Sequence, residues 1–259
     1  MEYLRKQDQP LFKDLEWNFP EKKSGAVAVI GGNGNNFANV IKLSEYLAGN
    51  YPIEKVETCL PDSLKKSLPP LLNLNFLKST DSGSFARSEE LTLTFETSDF
   101  VLLAGDLSKN SETAIAVTEA VKATQKPILL IRDATDLISP TASEFIEEHR
   151  LIFFVSMTQL QKLFRSLLYP KMIMLSQPLL PAVETLHKFT LSYEQCTIIT
   201  LHQNQIIVAN NGNIVTTPLE KTKYTPLNFF TGTLPADLLA YNLWNPQKPL
   251  EATSAALFH

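Results

Sequence analysis

A run of small and β-branched residues, Ala26-Val-Ala-Val-Ile30, empties directly into Gly31-Gly-Asn-Gly-Asn-Asn36, and a helical pattern follows from Asn39. A strand that hands over to a helix through a glycine-rich turn is the repeating unit of a parallel sheet, and it constrains this chain more than any other segment. The N–H groups of such a turn can approach a phosphate, and the helix N-terminus favours negative charge. Nucleotide binding is therefore the first function the segment suggests. Gly and Asn are also the residues that tolerate positive φ in any tight connection. A plain βα turn is the other reading, and on this segment alone both stand.

The rest of the chain repeats the alternation. Strand-like runs fall at Ala26–Ile30, Val56–Leu60, Phe100–Ala104, Ile128–Ile131, Ile152–Val155 and Thr197–Leu201. Helical patterns lie at Asn39–Ala48, Asp62–Leu68, Ser111–Ala123, Thr141–Glu148, Thr158–Leu167, Ala182–Leu191, Pro235–Leu243 and Leu250–Phe258. The runs are Leu-rich and β-branched without strict alternation, which predicts strands buried on both faces. Gln205–Ala209 and Asn213–Thr217 flank Asn210-Asn-Gly212, the signature of a type I′ hairpin. The expected fold is a three-layer α/β/α sandwich, its sheet mainly parallel, with an antiparallel hairpin near the C-terminal edge. Residues 1–23 read as an N-terminal extension and residues 24–259 as one domain, with Pro69-Pro70 and Asp81-Ser-Gly-Ser84 as local loops.

Composition removes several classes of function. The net charge of −4 comes from interleaved acids and bases, with no basic stripe, so nucleic acid is not an expected partner. Met1 to Gln9 has no apolar core of a secretory signal, and no apolar run is long enough to span a bilayer, so no membrane partner is expected. Cys59 and Cys196 lie far apart in strand-like runs and form no metal or redox motif. They read as buried free thiols of a cytoplasmic protein. Glycine is scarce, nine residues in 259, about half the usual frequency of roughly 7%.

Several local patterns carry a family resemblance. They are Lys23-Ser-Gly-Ala-Val-Ala-Val-Ile-Gly-Gly-Asn33, Ser98-Asp-Phe-Val-Leu-Leu-Ala-Gly105, Lys126-Pro-Ile-Leu-Leu-Ile-Arg-Asp-Ala134 and Thr231-Gly-Thr-Leu-Pro-Ala-Asp-Leu-Leu-Ala240. In this order they resemble the ribokinase-like superfamily, and within it the nucleotide-dependent NAD(P)H-hydrate dehydratases, also called carbohydrate kinase-related proteins. In that family ADP or ATP phosphorylates a hydroxyl of the hydrated nicotinamide ring, and loss of phosphate restores NAD(P)H. The resemblance implies Asp237 as the base, ADP or ATP as cofactor with Mg²⁺, and NAD(P)H hydrate as substrate. It implies nucleotide or substrate contacts at Gly31, Gly32, Asn33, Gly34, Gly105, Asp133, His202, Gly232 and Thr233. No protein-held metal site is expected, and the small-molecule partner is a nucleotide, with a homo-oligomer as the expected assembly.

The chain departs from the family pattern where the chemistry lies. Leu234-Pro-Ala236 stands where Gly-Thr-Gly is expected, and Pro235 has no N–H to donate. Asp106-Leu-Ser-Lys109 replaces Pro-Gly-Leu-Gly, and an acid at 106 would repel a phosphate. Ser156-Met157 and Gln159 take the place of Thr-Pro-His and a Glu. Leu201-His202 replaces Lys-Gly, with His202 read as a polar turn residue or a substitute for the Lys. Three functions remain in view: a divergent dehydratase with weakened or lost catalysis, a non-catalytic nucleotide-binding or assembly protein, and a small-molecule kinase of sugar or hydroxyethylthiazole type. A Rossmann dehydrogenase is a weaker fourth, since Gly32-Asn-Gly-Asn-Asn-Phe37 lacks the third glycine and only Glu57 offers a ribose acid.

Overall fold

The computed structural model describes residues 2–68 and 73–259. The expected Pro69-Pro70 loop lies outside them. The described chain forms two compact units, Pro20–Ile138 and Met1–Phe19 with Ser139–His259.

The chain opens on β1 (Leu4–Lys6), and the next five strands belong to Pro20–Ile138: β2 (Ala26–Gly31), β3 (Lys55–Pro61), β4 (Leu74–Leu77), β5 (Phe100–Gly105) and β6 (Ile128–Ile131). They lie in the order β6-β5-β2-β3-β4, every pair parallel. All residues of β5 and β6 are buried, as a strand covered on both faces requires. The helices are α1 (Ala38–Asn50), α2 (Glu89–Thr97), α3 (Ser111–Ala123) and the short α4 (Asp133–Ile138). Two start on side-chain caps: Ser88 accepts from the Leu91 N–H, and Asn110 from the Thr113 N–H.

The other unit carries β1 with β7 (Leu151–Phe154), β8 (Cys196–His202), β9 (Gln205–Asn210) and β10 (Asn213–Pro218), in the order β1-β10-β9-β8-β7. β7 and β8 are parallel, β9 runs antiparallel to both β8 and β10, and β1 lies parallel to β10. The expected hairpin is present, with Asn211 at φ 42° and Gly212 at φ 71°, the paired positive φ of a type I′ turn. Gln203 and Asn204, at φ 48° and 58°, turn β8 into β9 in the same way without a glycine. The helices are α5 (Met157–Ser166), α6 (Leu179–Ser192), α7 (Pro226–Phe229), α8 (Leu234–Trp244) and α9 (Pro249–Ala256). The architecture is a three-layer α/β fold, mostly parallel, with antiparallel strands at one edge.

Two expected helices are not α-helical. Asp62–Leu64 and Ser139–Glu144 form 3₁₀ turns instead. In the first, Leu64 is the only buried residue, too little apolar anchorage to offset the cost of nucleating a helix. The carboxylate of Asp62 instead accepts the Ser79 N–H at 3.0 Å. The elements not expected are short or ambiguous: β1, β4, α4, α7, and α2, whose Leu-Thr-Leu-Thr-Phe core alternates like a strand.

Residues 3–19 are woven into their unit. Tyr3 stacks on His187 at 3.7 Å, and buried Gln7 donates to the Ser254 carbonyl at 2.9 Å. The Tyr241 hydroxyl donates to Glu16 at 2.6 Å, and burial followed by this carboxylate pushes the tyrosine pKa up. Among the described residues no helix is long and apolar enough to cross a membrane.

Candidate functional site

In Pro20–Ile138 the expected binding residues cluster at the C-terminal ends of β2, β5 and β6. Two glycines allow the backbones to close up. A Cβ on Gly31 would sit 2.5 Å from the Gly105 carbonyl oxygen, and one on Gly105 would sit 2.6 Å from Oδ1 of Asp133. Gly105 also holds φ +80°, a conformation that L side chains rarely adopt. The Asp106 N–H donates to Asp133 Oδ1 at 2.7 Å, and Arg132 Nη1 pairs with Asp106 Oδ2 at 2.8 Å. The Asn33 amide donates to the Asp106 carbonyl at 2.6 Å. Gly31, Gly32, Asn33, Gly34, Gly105 and Asp133 therefore share one locality.

The glycine turn is internally satisfied. The Gly32 N–H donates to the Gly105 carbonyl, Asn33 to Asn36, and Gly34 to Gly83, at 2.8–2.9 Å. The Asn35 and Asn36 N–H groups donate to the Asn33 side chain at 2.9 and 3.2 Å. Five consecutive donors thus point at protein acceptors, which is the bonding of a plain βα turn. Gly34 has nothing within 4 Å of a Cβ position and no positive φ, so nothing in the backbone requires glycine there.

Burial raises the Asp133 pKa, with the Asp106 carboxylate adding to it and the Asp106 N–H opposing it. The acid at 106, expected to repel a phosphate, is neutralised by Arg132, whose place beside it the sequence reading did not include. This pair does not fit a protein-held Mg²⁺: Asp106 is ion-paired with Arg132, and Asp133 Oδ1 is taken by the Asp106 N–H. Among the described residues no group of three or more His, Cys, Asp or Glu side chains is arranged to hold a metal ion. Glu57, the candidate ribose acid, is engaged by Lys55 at 2.8 Å and Asn75 at 3.0 Å.

In the other unit, Gly232, Thr233 and Asp237 meet at the start of α8. Gly232 donates to the Asn228 carbonyl at 2.7 Å. A Cβ there would lie 2.6 Å from that same oxygen. The Thr233 carbonyl receives the N–H groups of Ala236 and Asp237 at 2.9 and 3.4 Å. Pro235 has no N–H, so the first turn of α8 lacks that donor. Asp237 is fully buried. Its Oδ2 accepts the Tyr224 hydroxyl at 3.0 Å and lies 3.7 Å from Nζ of Lys223. The Lys223 ammonium also stands 5.4 Å from the centre of the Tyr224 ring, within cation–π reach.

His202 is placed apart from these contacts. It ends β8, is buried, and its Nε2 donates to the Gln177 carbonyl at 2.8 Å. Ser156 and Gln159 form a capping box that starts α5: each side chain accepts the other residue's backbone N–H, at 3.3 and 3.1 Å. Tyr224, Lys223 and Arg132 were missed by sequence reading. No motif spacing links the first two to Asp237, 13 and 14 residues further on. Only the adjacency of Arg132 to Asp133 hinted at the third.

No protein-family model and no curated protein matches the chain in sequence. Solved structures do match its fold. A ribokinase-like superfamily protein of Enterococcus faecalis V583 superposes with a TM-score of 0.68 at 15% identity, over 99% of this chain and 86% of that one. The hydroxyethylthiazole kinase of Pyrococcus horikoshii OT3 superposes with a TM-score of 0.53 at 13% identity, over 95% and 80%. The chain therefore has the ribokinase-like fold. At these identities the likeness extends to the fold alone.

Proposed function

We propose that this chain is a non-catalytic protein on the ribokinase-like fold, acting by binding or assembly rather than by phosphoryl transfer or dehydration of hydrated NAD(P)H. The observation that carries this reading is the state of Asp237. A general base must come within hydrogen-bond reach of the proton it takes. The Asp237 carboxyl is fully buried, its Oδ2 accepts the hydroxyl of buried Tyr224, and Nζ of Lys223 stands 3.7 Å away. Phosphoryl transfer is mostly positioning and charge neutralisation, and each anion-hole donor is worth on the order of 10²–10³-fold. The N–H groups of residues 32–36, 236 and 237 already have acceptors in the chain, and Pro235 has none to offer. Buried free Cys59 and Cys196 suit the reducing cytoplasm proposed for it.

The test is NADH recovery from its hydrate with ADP or ATP, comparing wild type with Asp237→Asn, alongside a thermal-shift panel of ADP, ATP, NADH and NADPH. Background recovery in both proteins is the expected result. Nucleotide-dependent turnover that vanishes in Asp237→Asn would overturn the reading.

The NAD(P)H-hydrate dehydratase reading rests on the sequence resemblance alone. A small-molecule kinase is favoured by one observation: Lys223 is about half exposed beside Asp237, where a cation could face a transferring phosphoryl group. ATP-dependent phosphorylation of hydroxyethylthiazole, lost in Lys223→Ala, would establish it.

A further inference from the structure

Exposed large apolar side chains are unevenly spread. Of eleven among the described residues, five fall between α5 and the first turn of α6: Leu168, Met172, Met174, Leu175 and Leu180, each more than half exposed. The strap bearing them is anchored. Gln161 donates to the Ile173 carbonyl at 2.8 Å, the Ile173 side chain is fully buried, and the Gln177 carbonyl receives His202. The side chains are thus presented by a held backbone. Clustered exposed apolar groups mark interaction surfaces, and methionines adapt their shape to a partner.

The same stretch is basic. From His149 to Val183 there is no Asp or Glu, although the whole chain carries −4, and Lys162, Arg165 and Lys171 are exposed. The partner should therefore be acidic with an apolar element. A two-fold contact of strap on strap would set these cations against their own copies.

The chain itself carries a surface of the required sign. A groove of about 1060 Å³ along α2 and α3 holds Glu89, Glu90, Glu96 and Glu119 around exposed Leu93. Two cations, Arg87 and Lys122, also line it, and Arg87 is already paired with Glu119 at 2.7 Å. We propose that the 168–180 strap of one copy docks into the α2–α3 groove of a second copy of this chain. Such a contact joins unlike surfaces, so it builds a ring or an open chain. It does not depend on the chemistry of the Asp237 site.

The experiment measures the mass of the full chain by sedimentation equilibrium over a range of concentrations and salt. The expected result is self-association that weakens on the order of tenfold from low to high salt. A variant of the strap and the end of α5 beside it, Arg165→Glu with Lys171→Glu, and a groove variant, Glu90→Lys with Glu96→Lys, should each be monomeric alone. Mixed in equal amounts they should associate again, because each supplies the sign the other lacks. That rescue also shows that both variants are folded. A wild type that stays monomeric at every concentration, or a mixture that does not recover, overturns the proposal. So does a monomeric wild type that instead pellets with phosphatidylglycerol vesicles, which would make the strap a membrane contact.

Discussion

Tyr224 donates its hydroxyl to Oδ2 of Asp237 at 3.0 Å, joining the segment before α7 to the first turn of α8. This contact makes Asp237 an internal tie of its unit, and it sets the first expectation. Tyr224→Phe should cost about 1–3 kcal/mol, the range for a hydrogen bond to a carboxylate or for leaving a buried acceptor unmatched. Asp237→Ala should cost at least as much. Urea unfolding should show lower midpoints with unchanged slopes. Unaltered midpoints in both variants would mean that the tie is absent in solution.

The two turn glycines should separate cleanly. Gly105→Ala places a Cβ 2.6 Å from Asp133 Oδ1 at φ +80°, and strain of this kind costs about 1–3 kcal/mol. Gly34→Ala meets nothing within 4 Å and should be neutral or more stable by about 0.4–1 kcal/mol. Thermal unfolding of both variants decides it. Because the Gly34 N–H already donates to Gly83, the alanine should also leave any nucleotide-induced thermal shift unchanged.

Asp133 gives a pH dependence of known sign. Its folded pKa lies above the ordinary carboxylate value of 3.8, chiefly through burial. The native state then holds a proton that the unfolded state has released. The contribution is complete below 3.8 and is lost as pH rises through the raised folded value. The stability of wild type relative to Asp133→Asn should therefore fall as pH rises above about 4. Urea midpoints of both proteins from acid to neutral pH measure it, and a difference that grows with pH would contradict the assignment.

The α5 capping box should behave as a structural device. Ser156→Ala should cost about 1 kcal/mol, the usual loss for an N-cap hydroxyl, with a drop in melting temperature. If Gln159 has only this role, Gln159→Ala should cost less and change no ligand response.

Strands β5 and β6 were legible from the chain because burial on both faces writes itself as an unbroken apolar run. The β9–β10 hairpin was legible because Asn-Gly tolerates the positive φ that its turn demands. The three-residue β1 was not, since Leu-Arg-Lys acquires its strand partners only from β10, more than 200 residues away. The same division runs through the candidate site. Sequence alone located Gly31, Gly105, Asp133 and Asp237 at the ends of strands or the start of a helix, where local pattern reaches. Only tertiary structure decided what their polar groups do. The acceptors for the glycine-turn donors, the Arg132 that neutralises Asp106 across 26 residues, and the Tyr224 that meets Asp237 are set by how the chain returns on itself. A hydrogen bond depends on a few tenths of an ångström and on direction, and no local periodicity carries that information between distant segments.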